Sequence, residues 1–180
     1  YVYTVAGQIA ESVKNDCVVV IKSTVPIGTN DKVETYIREH LKEPVQVDCA
    51  SNPEFLSQGT AVRDTLSASR IIIGAEDENT KQKLLRVYQD FSAPKLVTDR
   101  RSAEMIKYAS NDFLALKISY INEIANFCEI VGADIEDVAQ GMGLDSRIGN
   151  RFLQAGIGYG GSCFPKDTKA LHWLGNYYDN

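Results

Sequence analysis

Asp16-Cys17-Val18-Val19-Val20-Ile21-Lys22 runs directly into Ser23-Thr24-Val25-Pro26-Ile27-Gly28-Thr29. The first part is continuous, apolar and β-branched, the pattern of a strand covered on both faces of a parallel sheet. The second is polar and carries Pro and Gly, so it reads as the loop at that strand's carboxyl end. Upstream, Val5 to Lys14 predicts the end of an amphipathic helix. Downstream comes a helix from about Asn30 to Leu41, with Thr29 or Asn30 as N-cap. A strand over 45–50 then ends in the loop Ser51-Asn52-Pro53-Glu54-Phe55-Leu56. A third strand over 70–75, a helix over 78–91 and a short strand over 95–98 complete this part. Alternating strands and helices predict a parallel α/β sheet. Ligands of such sheets bind at the carboxyl ends of the strands, where the loops carrying Thr24 and Glu54 lie.

Beyond Ser102 the pattern changes. Ser102 to Val131 contains no Gly or Pro and predicts one helix of roughly 45 Å at the usual rise per residue. Met105, Ala109, Phe113, Leu116, Tyr120, Ile124 and Phe127 recur at helical spacing and read as core or as a dimer interface. A helix this long outreaches a small domain, so it bridges domains or pairs with a partner chain. Lys107, Asn111, Leu114 and Ile118 form a separate stripe; taken alone, Lys107 and Asn111 are an ordinary solvated pair at i,i+4. Ile135 to Met142 predicts a shorter helix capped by Asp134, followed by a glycine-studded loop over 141–161 that contains Asp145-Ser146-Arg147. A helix from Pro165 to about Tyr178 ends the chain.

The net charge of −5 and the pI near 5.1 argue against a nucleic-acid-binding surface. No apolar run approaches the ~18 residues that a membrane span needs, so no membrane partner is expected. The opening residues 1–6 lack the basic stretch of a signal peptide. The four cysteines show neither CxxC pairing nor metal-ligand spacing, and with two histidines a zinc site is not expected. Cys17, Cys49 and Cys128 read as small buried hydrophobes in a reducing compartment.

Cys163 differs. In Gly158-Tyr159-Gly160-Gly161-Ser162-Cys163-Phe164-Pro165-Lys166-Asp167 the glycines allow close backbone approach to a ligand, and Pro165 suits the first turn of a helix. Cys163 therefore sits at a helix N-terminus beside Lys166, and both features favour a thiolate. Asp167 follows at i+4 on the same face. A nucleophile, a cation and a carboxylate within five residues predict covalent chemistry.

Five stretches in order, Ser23-Thr24-Val25-Pro26, Asn52-Pro53-Glu54-Phe55-Leu56, 104–111, Arg147-Ile148-Gly149-Asn150 and 158–167, resemble the UDP-glucose/GDP-mannose dehydrogenase family. These enzymes oxidise a nucleotide-sugar 6-hydroxyl to a carboxylate in two hydride transfers to NAD. The resemblance implies a partial Rossmann-like dinucleotide-binding domain over 1–98 and an all-α central dimerisation domain over 99–180. It lacks the GxGxxG fingerprint that opens the family fold, which the 158–161 region does not supply. A chain holding the second half of one domain and the central domain, without turnover by itself, is the corresponding expectation.

The resemblance implies that Cys163 is the covalent nucleophile and that Lys107 and Asn111 stabilise oxyanions. Asp167 orders water or the lysine, and Glu54 and Thr24 organise water, with Glu54 a candidate base. Thr24, Gln58 and Lys166 are implied for the cofactor. Glu54, Phe55, Leu56, Ser57, Lys107, Asn111, Phe152, Leu153, Gln154, Ala155, Gly156 and Gly160 are implied for the nucleotide sugar. Arg147 is implied to reach the substrate of a neighbouring subunit, in a homodimer built through the long helix. Gln58 and Gln154 depart from the family, standing where relatives carry glutamate and, in some, lysine. UDP-glucose is the substrate implied first, then GDP-mannose or a UDP-N-acetylhexosamine, in a cytoplasmic enzyme. A non-catalytic dimerisation module is the alternative from another class.

Overall fold

The computed structural model describes residues 1–57 and 59–179. The elements run α1 Val2–Ser12, β1 Cys17–Ile21, α2 Thr29–His40, β2 Val47–Ser51, α3 Ala61–Leu66 and β3 Ile71–Gly74. They continue with α4 Glu78–Val87, β4 Lys95–Thr98, α5 Arg100–Val131, α6 Ile135–Gly143 and α7 Cys163–Tyr177. The chain forms two compact units, 1–107 and 108–180, and the division falls within α5.

The first unit is an α/β layer structure of Rossmann type. Its sheet has the order β1-β2-β3-β4, with β1/β2 and β3/β4 parallel. Alternation along β1 sends Cys17, Val19 and Ile21 to one core, with Ala6, Ala10, Val33 and Ile37 of α1 and α2. Val18 and Val20 face the opposite core, with Ile71, Ile73 and Leu84. Helices thus cover both faces, as the unbroken apolar run requires. Two details depart from the sequence reading. β3 meets β2 antiparallel through the single pair Ser51–Gly74, and β1 is only half-buried while β2 and β3 are fully buried. The helix α3 was not expected, because its six residues carry no apolar period. Its Asp64 takes hydrogen bonds from the Ser57 N–H at 2.9 Å and the Thr60 hydroxyl at 2.7 Å, which hold that carboxyl below its ordinary range.

The cap of α2 also differs. Gly28, at φ 84°, occupies the N-cap, and neither Thr29 nor Asn30 caps with its side chain. The capping carboxylate comes instead from Glu104 on α5. It accepts from Gly28 N at 2.5 Å, Asn30 N at 2.9 Å and Asn30 Nδ2 at 2.7 Å. Close approach of α5 to the sheet requires Gly74, where a Cβ would lie 2.5 Å from Ala103 Cβ. Arg100, buried beside it, pairs with Glu34 at 2.5 Å and Asp31 at 3.0 Å.

In the second unit α5 carries Tyr108, Ala115, Ile121 and Cys128 buried. Gly132, at φ 75°, ends the helix, its N–H bonding to the Cys128 carbonyl at 2.8 Å. Asp134 caps α6 by accepting from Glu136 N. Along α5 the two stripes exchange their expected places: Lys107 and Asn111 are buried, while Met105, Phe113, Leu116, Tyr120 and Phe127 are exposed. The apolar stripe is therefore no core of this chain.

Glu104 is 3% exposed and holds three donors. Glu104→Ala is expected to lower the unfolding free energy by about 3 kcal/mol, since the acceptor is lost and the donors of Gly28 and Asn30 are left unpaired. Urea unfolding checks this, and a change below about 0.5 kcal/mol would refute the capping role.

Candidate functional site

In the first unit the site residues gather at the carboxyl ends of β1 and β2. Asn52, directly after β2, is 2% exposed and fully engaged. Its Oδ1 accepts from Lys22 Nζ at 2.8 Å and from the Tyr88 hydroxyl, and its Nδ2 donates to the Ile72 carbonyl at 2.8 Å. Its N–H donates to the Ile21 carbonyl at 3.0 Å. One amide side chain thereby links β3, the residue after β1 and the C-cap of α4.

Those next residues are Pro53, Glu54 and Phe55, and Lys107 meets them. Its Nζ donates to the Glu54 carbonyl at 2.5 Å and lies 3.4 Å from Glu54 Oε1. Glu54 Oε2 accepts from Leu56 N at 2.9 Å. The Phe55 ring has two cations near it, Arg70 at 3.9 Å and Lys107 at 5.2 Å from its centroid. Thr24 is half-buried in the loop after β1, while Leu56 and Ser57 are exposed. Gln58 lies outside the described residues. Glu54, Phe55 and Lys107 are thus assembled, and burial of Lys107 replaces the solvated placing that its spacing alone suggested.

The second unit holds the cysteine. Cys163 is the first residue of α7 and exposed, with Ser162 Oγ 3.9 Å from its sulfur. Phe164 packs edge-on against Phe152 and Tyr159, with centroids 6.4 and 6.0 Å apart. This fastens the glycine-rich approach to the start of the helix. Asp167, one turn on, is 1% exposed and accepts from Asn111 Nδ2 at 2.6 Å. Lys166 stands 3.1 Å from Asp167 Oδ1, so its charge is directed to that carboxylate. The other thiols differ: Cys49 and Cys128 are buried. Burial pushes Cys49 up to about 12 and also raises Cys17.

The loop before α7 is positioned by residues that carry no motif. Lys117 donates to the Ile148 carbonyl at 3.0 Å, and Asn122 Oδ1 accepts from Gly156 N at 3.0 Å. Both belong to α5; Asn122 lies one step beyond Ile118 on the stripe of Lys107 and Asn111, whereas Lys117 lies off both stripes. Within the loop Phe152 adopts φ 65°, unusual for an aromatic residue. Leu153 is buried, whereas Gln154, Ala155, Gly156 and Gly160 are exposed. Arg147 folds back on Asp145, donating from Nε at 3.0 Å and Nη2 at 2.6 Å. Asp145 is held below the usual carboxylate range by that guanidinium. Gly156, Gly158 and Gly161 have GxGxxG spacing, but turns and bends precede them rather than a strand, so they form no dinucleotide fingerprint.

A nicotinamide dinucleotide would need hydroxyl and amide donors for its ring end and a backbone cradle for its pyrophosphate. Thr24, in the loop at the end of β1, and the exposed ammonium of Lys166 have donor chemistry fitting parts of that molecule. Among the described residues no three His, Cys, Asp or Glu side chains could hold a metal ion, and no helix is long and apolar enough to cross a membrane.

Comparison with known proteins identifies relatives of the chain. UDP-glucose 6-dehydrogenase YwqF of Bacillus subtilis is 63% identical over 92% of this chain and 38% of its own length. UDP-glucose 6-dehydrogenase of Rhizobium meliloti is 52% identical over 95% of this chain and 40% of its own. The chain thus spans about two fifths of the curated relatives it matches. A UDP-glucose dehydrogenase structure from Pyrobaculum islandicum superposes with a TM-score of 0.93 at 45% identity, covering 99% of this chain and 41% of that one. Residues 1–92 match the NAD binding domain of the UDP-glucose/GDP-mannose dehydrogenase family, and residues 101–179 match its central domain. With these two matches covering nearly all of it, the chain belongs to the UDP-glucose/GDP-mannose dehydrogenase family.

Proposed function

We propose that this chain supplies catalytic and substrate-side residues of an NAD-dependent UDP-glucose 6-dehydrogenase. The observation that carries the reading is the start of α7, where an exposed cysteine precedes by one turn a buried carboxylate already bonded to Asn111. Residues 1–98 are read as part of the dinucleotide-binding domain and 99–180 as the central domain.

Thr24, Gln58 and Lys166 are read as the residues that would hold NAD; the chemistry NAD supplies when bound is acceptance of the two hydrides. Oxidation of the C6 alcohol to the aldehyde releases one proton, for which Glu54 is the candidate base. The Cys163 thiolate forms a bond to the aldehyde carbon, and the carbonyl π pair moves to oxygen. Lys107 and Asn111 stabilise that oxyanion. Loss of the second hydride leaves a thioester on Cys163. Water, activated by Glu54 with Thr24 and Asp167 ordering it, breaks the carbon–sulfur bond and returns the thiolate. Phe55, Leu56, Ser57 and the 152–156 loop with Gly160 are read as sugar and nucleotide contacts. Arg147 is read as reaching a second subunit's substrate.

The exposed α5 stripe supports a homodimer through that helix, because Phe113, Leu116, Tyr120 and Phe127 would be costly to leave in water. Unpaired thiols throughout fit a cytoplasmic setting.

Three outcomes test this reading. The full-length enzyme is expected to form NADH with UDP-glucose, and Cys163→Ala to lower kcat at least about a thousandfold; turnover of GDP-mannose alone would overturn the substrate. In the folded chain at neutral pH, iodoacetamide is expected to modify Cys163 rapidly and the other three thiols slowly, read by peptide mass spectrometry. Equal labelling of Cys49 would contradict the contrast. Phe113→Glu with Leu116→Glu is expected to convert a dimer to a monomer in sedimentation equilibrium, and a monomeric wild-type chain would refute the helix-mediated pairing.

A further inference from the structure

Arg70 directly precedes β3 and has no part in the chemistry above. It is half-buried, and its guanidinium stands 3.9 Å from the centroid of the half-buried Phe55 ring. Sheet register brings the two residues together. Ser51 pairs antiparallel with Gly74, and Asn52 Nδ2 bonds to the Ile72 carbonyl at 2.8 Å. Continued by four residues on each side, that register sets Phe55 opposite Arg70. The guanidinium is planar and weakly hydrated, which suits it to stack on an aromatic face.

We propose that Arg70 is a positioning residue: through Phe55 it holds the loop at 53–57 in the form in which Glu54 and Lys107 meet. The inference rests on the roles given to Glu54 and Lys107 in the proposed function. Residues 53–57 belong to no helix or strand, so side-chain contacts must fix their geometry. Lys107 Nζ donates to the Glu54 carbonyl and lies 5.2 Å from the Phe55 centroid. That carbonyl belongs to the peptide joining Glu54 to Phe55. Glu54 Oε2 reaches past Phe55 to accept from Leu56 N at 2.9 Å. A rotation of this one backbone unit would therefore move the ring, the carbonyl and the carboxylate together. β3, by contrast, is buried along its whole length, and Arg70 ties the ring to that fixed element. The stack thus sets where the candidate base and the oxyanion-stabilising ammonium stand.

In the full-length enzyme Arg70→Met, which removes the cation and keeps an apolar chain, is expected to lower kcat with UDP-glucose about tenfold. Arg70→Gln is expected to match it, so the comparison does not depend on one variant folding. Arg70→Lys is expected to stay within about threefold of the unmodified enzyme, with KM for NAD changed less than about twofold in all three. Equal losses in the Met and Lys variants, or none in either, would overturn the positioning role. Phe55→Leu removes the aromatic face. In that background Arg70→Met is expected to cost less than about a further twofold, and a second tenfold loss would show that Arg70 acts through another contact. A readout without turnover separates the inference from the NADH assay. In the 180-residue chain, nuclear Overhauser contacts between the Phe55 ring and the Lys107 methylenes are expected in the unmodified protein and in Arg70→Lys. They are expected to be lost in Arg70→Met. Contacts of unchanged intensity in Arg70→Met would overturn the inference, whichever nucleotide sugar the enzyme uses.

Discussion

The first two turns of α5 are held to the sheet by buried charge, and the geometry of the first unit depends on that attachment. Glu104 terminates α2 from outside, and Arg100 reaches Asp31 and Glu34 of the same helix. Arg38 extends the network from Glu34 to Asp48 on β2 at 2.7 and 2.8 Å. Buried ion pairs contribute little net stability compared with apolar packing, but losing one partner is expensive. Their value is register: α5 has one place in which each of these groups is satisfied. Lys107, one turn after Glu104, inherits that register, and with it the contacts to Glu54 and Phe55.

A helix with a buried polar stripe and an exposed apolar one reverses the usual amphipathic rule. On α5 the buried polar members are Arg100, Glu104, Lys107 and Asn111, each with a specific partner, as buried polar groups require. The arrangement is unfavourable for a helix with only stability to serve. It is what a helix looks like when it presents chemistry on one side and an apolar surface on the other.

The two-faced apolar run at 17–21, the strand–helix alternation and the long uninterrupted helix made the layer structure legible from sequence, because burial and period are local signals. The cysteine at the start of α7 was legible for the same reason, with Pro165 two residues on. What escaped notice depends on distance in sequence. Glu104 caps a helix 74 residues earlier, so the local N-cap rule pointed to Thr29 and Asn30 instead. The antiparallel meeting of Ser51 and Gly74 joins positions that no local period relates. Lys117 and Asn122 carry no motif, and only the fold shows that their polar atoms face the loop before α7.

The capped start of α2 has one more consequence. In open α/β sheets the first turn of a crossover helix is where phosphate groups commonly settle, drawn by unpaired N–H groups and the helix dipole. Here that seat follows β1 and the loop bearing Thr24, and Glu104 already fills it with the protein's own carboxylate. An incoming anion would have to displace a buried charge that three donors hold. At this crossover the helix N-terminus already has its anion, and the N–H groups of Gly28 and Asn30 are spent on it.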